Sequence, residues 1–270
     1  EARGVCEFGC DARIGITMKP ELIEVVGAHR ALRLTEVRVE NYRTRRFVFD
    51  GSMICHPGQF VMAWLPGIGE KPFSIAESDP LTLIVVSVGP VSDALHRLQP
   101  GERVWVRGPL GQGFRLRGKR ALLAGGGYGV APLLFLARQA QQQGVEVEVC
   151  IGARTAADVL LMEDFKRVGA QVYVATEDGS QGMLGLVTAA TQERIDALRP
   201  DGLYACGPAR MLEALEQQAR QTGLDCQLSW EAHMRCGMGL CGSCEMPGGE
   251  ERSLGWLACL DGPVWRREES

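Results

Sequence analysis

The sequence predicts an antiparallel, Greek-key β-barrel, then a doubly wound α/β domain with a mostly parallel sheet, then a small cysteine-loop domain. Three observations predict this order. Short strand-like runs crowd residues 30–116, strand and helix patterns alternate over 117–225, and periodicity fades over 226–270, where four of the ten cysteines gather.

A chain of 270 residues, 46% hydrophobic and 23% charged, can bury two ordinary cores and carry an appendage. Its net charge is −4 and its Lys and Arg residues are scattered. This excludes a nucleic-acid stripe and a polybasic membrane patch. The most apolar run, ALLAGGGYGVAPLLFLA, is broken by four glycines and a proline and cannot serve as a membrane span. Residues 1–29 form an extension in which Met18 would make a natural start and Cys6 and Cys10 belong to no recognisable pattern. The N-terminal residues lack the order of a secretory signal. Ten cysteines without such a signal point to a reducing compartment, so the expected location is the cytoplasm.

In the first domain LTEVRVEN, RRFVFDG, GQFVMAWL, LTLIVVSV and ERVWVRG read as strands, rich in β-branched and aromatic residues and punctuated by Gly, Pro and Asp. Strands at such close spacing suit a small closed barrel. GPLGQGF, residues 108–114, reads as the turn that joins the barrel to the α/β domain. Beyond it, RALLAG, VEVEVCIG, QVYVAT and GLYAC are strands, while PLLFLARQAQQQG, VLLMEDFKRVG and RMLEALEQQARQTG are helices. Strand and helix in alternation mean βαβ units.

The turn after RALLAG carries Gly125, Gly126, Gly127 and Gly129, with Pro132 in the first turn of the next helix. A glycine-rich strand–turn–helix exposes backbone amides and a helix N-terminus to a pyrophosphate, the arrangement of a dinucleotide site. A merely tight turn is the alternative. No Asp or Glu closes the second strand, where a ribose-binding carboxylate is usual; the chain reads GART, and Arg154 there could take the extra phosphate of NADPH or lie against the adenine end. Cys206-Gly207-Pro208 falls between a strand and a helix, at the edge where ligands of such sheets bind.

Cys236, Cys241, Cys244 and Cys259 are spaced C-x4-C-x2-C-x14-C. The first three follow the plant-type pattern for a [2Fe–2S] cluster, with a distant fourth thiolate. Gly237, Gly239 and Gly242 permit the tight curl that such a loop needs. A structural zinc site would pair two short knuckles, and here the second pair is split. Cys55, Cys150 and Cys226 read as packed singletons.

A nicotinamide delivers two electrons together and a [2Fe–2S] cluster takes one, so a chain with both needs a converter, ordinarily a flavin. The barrel is the place for it. EKPFS combines a cation, a rigid proline and a hydroxyl at a strand start, and VSVGPVSDAL places Gly89 and Ser92 at a helix N-terminus suited to phosphate. Ser92 as a plain helix cap is the alternative.

K-P-F-S, S-V-G-P-V-S-D-A-L, G-P-L-G-Q-G-F, G-G-G-Y-G-V-A-P, G-A-R-T, A-T-E-D-G-S, Y-A-C-G-P and the cysteine loop ending C-L-D-G-P-V occur in that order from about residue 30 to 265. Together they resemble the electron-transfer subunits of two-subunit, NAD-linked (type B) dihydroorotate dehydrogenases, within the ferredoxin-reductase superfamily. The resemblance implies FAD on the barrel, NAD(H) on the α/β domain and a [2Fe–2S] cluster. It also implies an FMN-containing catalytic subunit as partner, in a heterotetramer of two plus two that serves pyrimidine biosynthesis.

By position, Lys71, Pro72, Phe73 and Ser74 would contact FAD, with Val88, Gly89 and Ser92 along its ribityl-phosphate part. Gly126, Gly127 and Gly129 would lie under the nicotinamide nucleotide, and Cys206, Gly207 and Pro208 would face its ring, making Ser74 and Cys206 the catalytic candidates. Lys71 stands where the superfamily usually has Arg; it keeps the charge and loses the bidentate fork. Closely similar subunits serve hydrogenases, sulphide dehydrogenases and ferredoxin:NADP transhydrogenases, and a non-catalytic redox sensor is a reading from another class.

Overall fold

The computed structural model describes residues 28–246 and 255–266; Cys6 and Cys10 lie outside them. The first six strands are β1 (Arg30–Asn41), β2 (Thr44–Phe49), β3 (Phe60–Leu65), β4 (Gly69–Ser78), β5 (Leu81–Val86) and β6 (Arg103–Leu110). They close a barrel in the order β1-β2-β5-β4-β3-β6, and all neighbours run antiparallel. Inward positions such as Leu34, Phe47, Phe49, Val61, Ile75, Leu83 and Val104 fill the interior. β6 continues to Leu110, so the first half of the expected joining turn is strand. Helix α1 (Pro90–Arg97) covers one end through Leu95.

The α/β domain comprises β7 (Arg120–Gly126), α2 (Val130–Gln142), β8 (Glu146–Ala153), α3 (Met162–Arg167), β9 (Gln171–Thr176), β10 (Met183–Leu184), α4 (Val187–Leu198), β11 (Gly202–Cys206), α5 (Ala209–Thr222), β12 (Cys226–Ser229) and, from the end of the chain, β15 (Val264–Arg266). Its sheet runs β10-β9-β8-β7-β11-β12-β15. Every pair is parallel except β12–β15. Leu123, Val149, Ile151 and Tyr204 pack on one face with residues of α2 and α3. Leu122, Cys150, Leu203 and Leu228 pack on the other with residues of α4 and α5. Both faces are therefore covered, as a doubly wound sheet requires.

The structure differs from the sequence reading in three further places. A division after residue 225 falls inside this sheet, because Cys226–Ser229 is β12 and the returning β15 joins beside it. Helix α4 went unread: TAATQERIDAL mixes polar and apolar residues, and burial of Val187, Ala190 and Ile195 is what orders it. The third helix is only Met162–Arg167, one and a half turns.

Between β12 and β15 lie the cysteine loop and a short hairpin, β13 (Glu245–Met246) with β14 (Trp256–Leu257). This region has little regular structure and borrows its core from the barrel. Phe60, Met62 and Leu110 pack with Met234, Cys244, Trp256, Ala258 and Cys259, and Trp256 stacks on Trp265 of β15 with ring centroids 5.5 Å apart.

Barrel and α/β domain are joined by both packing and charge. Phe135 of α2 is buried in the barrel's core cluster, a contribution of about 1.5–3 kcal/mol for a side chain of this kind. Arg46 of β2 donates to Asp164 of α3 at 2.9 Å, and Asp164 is only 6% exposed. Tyr42 and Arg43 reach Asp158 at 2.8 and 3.1 Å. Asp164→Ala removes a buried partner of Arg46, which keeps Glu40. The expected loss is about 2 kcal/mol of unfolding free energy, seen as a lower denaturant midpoint at unchanged slope.

Candidate functional site

The parallel sheet has its switch point between β7 and β11, which are neighbours in space and separated by three other strands in sequence. Their helices, α2 and α5, pack on opposite faces, and a crevice opens at the strands' carboxyl ends. The two turns there nearly touch. A Cβ on Gly129 would lie 2.2 Å from the carbonyl oxygen of Cys206, and one on Gly126 would lie 2.8 Å from the Pro208 ring. Only glycine allows this crossing, which brings two helix N-termini to one place.

The crevice merges with the rim of the barrel into one cleft of about 1400 Å³. Lys71, Pro72, Phe73 and Ser74 of β4, Val88, Gly89 and Ser92 at the start of α1, Gly126, Gly127 and Gly129, Arg154, and Cys206, Gly207 and Pro208 all line it. These barrel and nucleotide residues singled out in the sequence are thus brought to one cavity, while Gly125 lies within β7 and does not line it. A cavity of that size exceeds the roughly 300–1,000 Å³ of an ordinary single-ligand site, and it suits two nucleotides side by side.

Details differ from the sequence reading. The Ser92 hydroxyl accepts from the amides of Val88 and Gly89 at 2.9 and 3.0 Å and donates to the carbonyl of Gly89 at 2.9 Å. Its bonds close its own turn, so the helix-cap alternative describes it. Burial pushes the Cys206 thiol up to about 12, against a hydrogen bond from Ser229.

Several lining residues were not singled out in the sequence, although Tyr128 and Glu177 lie within motifs that carry the resemblance. Tyr128 donates to Glu231 at 2.7 Å across the cleft; burial and then that carboxylate raise the phenol's pKa. Glu177 comes directly after β9, and its amide donates to the carbonyl of Ala153 at 3.1 Å, beside Arg154. Glu177, at the end of the third strand, thus stands beside the position where the second strand lacks a carboxylate. Trp230 to Met234 form a wall that leads to Cys236.

The four cysteines stand as two pairs. Cys244 and Cys259 are buried, with sulphurs 3.3 Å apart. Cys241 is exposed, and hydrogen bonds from Ser243 and then from its neighbour Cys236 draw its thiol down to about 6. Burial pushes the Cys259 thiol up to about 12, helped by the Cys244 thiol against it. Two thiolates so close need cations to balance them. The amides of Met238 and Leu240 donate to the Cys236 sulphur at 3.5 and 3.3 Å, and that of Gly239 to the Cys259 sulphur at 3.2 Å. Among the described residues no three His, Cys, Asp or Glu side chains converge on one point. Two thiol pairs within a cage of amides suit a two-iron cluster, each iron taking one pair, better than a single zinc ion.

Comparison with known proteins agrees with this geometry. The oxidoreductase NAD-binding domain family matches residues 123–217, and the iron-sulfur cluster binding domain of dihydroorotate dehydrogenase B matches 231–269. A probable dihydroorotate dehydrogenase B (NAD(+)) electron transfer subunit of Thermococcus kodakarensis is 38% identical over 242 residues, 89% of this chain and 97% of that protein. This chain belongs to the family of dihydroorotate dehydrogenase B electron transfer subunits. The family subunit of Caldanaerobacter subterraneus is 37% identical over 220 residues, 79% of this chain and 86% of that one. Among solved structures, a chain of the NADH-dependent reduced ferredoxin-NADP oxidoreductase superposes on the subunit with a TM-score of 0.78 at 27% identity, covering 89% of this chain and 90% of that one.

In the subunit the Cys206 thiol stays protonated at any pH well below 12. Brief alkylation of the folded protein between about pH 6 and 9, read by mass spectrometry, is expected to leave Cys206 unmodified.

Proposed function

We propose that this chain carries electrons between NAD(H) and a catalytic subunit that oxidises dihydroorotate to orotate. The observation that carries the reading is the single cleft shared by the barrel and the α/β domain, with the paired thiols behind one of its walls. When bound, FAD exchanges two electrons with the nicotinamide and passes them singly to a [2Fe–2S] cluster.

The chain's own residues hold and orient these groups. The amides around Gly127 and Gly129 and the N-terminus of α2 would take the NAD(H) pyrophosphate, with Cys206 to Pro208 closing over the nicotinamide. Lys71 is exposed on the rim and would meet the FAD phosphates as a point charge, while Phe73 and Ser74, which line the cleft, would border the flavin ring. The neutral Cys206 thiol would offer the nicotinamide a small uncharged neighbour. Cys236 with Cys241 and Cys244 with Cys259 would each hold one iron.

Met238, Leu240 and Leu260 expose 39%, 81% and 48% of their surfaces beside the open Cys241. Apolar groups around an exposed cluster ligand suit a partner's docking face. The reading extends to an FMN-containing catalytic subunit in a two-plus-two heterotetramer, and to the cytoplasm; no helix among the described residues is long and apolar enough to cross a membrane. A second reading, the equivalent subunit of another NAD(P)H-linked complex, is favoured by the fold shared with the ferredoxin-NADP oxidoreductase. Copurification decides between them: a flavoprotein that oxidises dihydroorotate supports the first, a ferredoxin-linked partner the second.

Cys241→Ser is expected to leave NADH bleaching of the flavin intact and to abolish electron exchange with the partner, as stopped-flow absorbance of the two chromophores would show. Arg154 and Glu177 flank one end of the cleft, a cation suited to a ribose phosphate and a carboxylate suited to ribose hydroxyls. With NADH as the coenzyme, Arg154→Ala is expected to change its KM by less than about threefold, while Glu177→Gln raises it by about tenfold, the loss of a charge-assisted hydrogen bond. Steady-state KM values for NADH and NADPH check this.

A further inference from the structure

Arg107 of β6 is 4% exposed and sits between the flavin-side strand β4 and the first cysteine of the cluster loop. Its Nε and Nη2 hold the two carboxylate oxygens of Glu70 at 2.7 and 2.9 Å. The same Nη2 donates to the carbonyl of Cys236 at 2.7 Å. Nη1 is buried and has no hydrogen-bond partner. Glu70 immediately precedes Lys71 and also meets His29 at 2.9 Å; burial works to raise its pKa, but the bonds from Arg107 and His29 prevail and hold it low.

Packing does not explain a guanidinium here. The seam beside it is already apolar, with Phe60, Met62 and Leu110 against Met234 and Trp256, and apolar replacement of a buried ion pair is often neutral or stabilising. Arginine offers two things that Met or Leu cannot. Its planar fork fixes two acceptors at once. Its charge also lies one residue's breadth from a cysteine ligand, where solvent screens little.

We propose that Arg107 is a positioning residue for electron transfer, which locks the Cys236 end of the cluster loop to the flavin strand through Glu70 and stabilises the reduced cluster with its fixed charge. The proposal rests on reading the four thiols as cluster ligands. An electron accepted by a cluster held there would add one unit of negative charge beside Cys236. The Arg107–Glu70 pair presents its cationic end to the Cys236 carbonyl and would offset part of that charge without uptake of a proton. The unpartnered Nη1 keeps part of the guanidinium's donor capacity unquenched by neighbours.

The test compares wild type, Arg107→Met and Arg107→Lys in the complete complex with its partner, by redox titration followed through the cluster's electron paramagnetic resonance. Arg107→Met is expected to lower the cluster's midpoint potential, shift its g values and slow flavin-to-cluster transfer by about tenfold or more, with NADH reducing the flavin at the wild-type rate. Arg107→Lys keeps the charge and loses the fork. Its potential should stay close to wild type while its g values and transfer rate move toward those of the Met variant. A lower melting temperature with unchanged potential, g values and transfer rate in both variants would mean a structural strut only and overturns the proposal. If Arg107→Met does not fold, Arg107→Lys decides: shifted g values with slowed transfer support the proposal, and wild-type values for both overturn it. A wild-type complex without a reducible cluster signal defeats the cluster reading itself, an outcome seen before any substitution is made.

Discussion

Two turns cross at the carboxyl end of the parallel sheet with no space for a side chain between them, and the site is arranged around that crossing. Gly126 and Gly129 let the loop after β7 pass against Cys206-Gly207-Pro208 after β11. The consequence is electrostatic as much as steric. Helices α2 and α5 start at the same place from opposite faces of the sheet, so their amide-rich N-termini converge on one crevice. Phe135 then ties α2 to the interior of the barrel, which fixes the barrel's rim relative to that crevice. A flavin-type rim and a nucleotide-type crevice become one cleft because one helix is packed into both domains.

The cysteine loop obeys the opposite logic. It has almost no ladder hydrogen bonds of its own and takes its rigidity from its neighbours. The outer face of the barrel supplies Phe60, Met62 and Leu110, the α/β sheet supplies β12 and receives β15, and Trp256 on Trp265 clamps the return. Such a loop can remain open on one side, where Leu240 and Cys241 are exposed, because its stability comes from the other side.

What could be read from the residues depended on whether the relevant physics was local. The barrel, the alternation of strand and helix, the glycine turn and the cysteine spacing are all local patterns, and the structure contains each of them. Helix α4 was illegible because its apolar face is thin and burial alone orders it. β12 was illegible because four residues, CQLS, become a strand only beside β11 and β15. Nothing local in ERVWVRG marks Arg107 as buried; its burial comes from the cysteine loop laid over it from a distance of 129 residues in sequence. Glu177 escaped for a related reason. The rule that seeks a carboxylate at the end of the second strand does not see one carried in by the third.

The two thiol pairs also give the route a direction in space. Cys244 and Cys259 share a buried core with Phe60 and Met234, and those two residues also line the cleft. Cys241 belongs to the other pair and lies at the surface among exposed apolar side chains. One pair therefore lies toward the cleft behind a single layer of packed side chains, while the other is anchored at Cys236 through Arg107 and open to solvent at Cys241. A cluster held by both pairs would connect the buried and the exposed side of the loop. The appendage can then be small, since its task is to carry an electron through one protein layer and to leave its far edge uncovered.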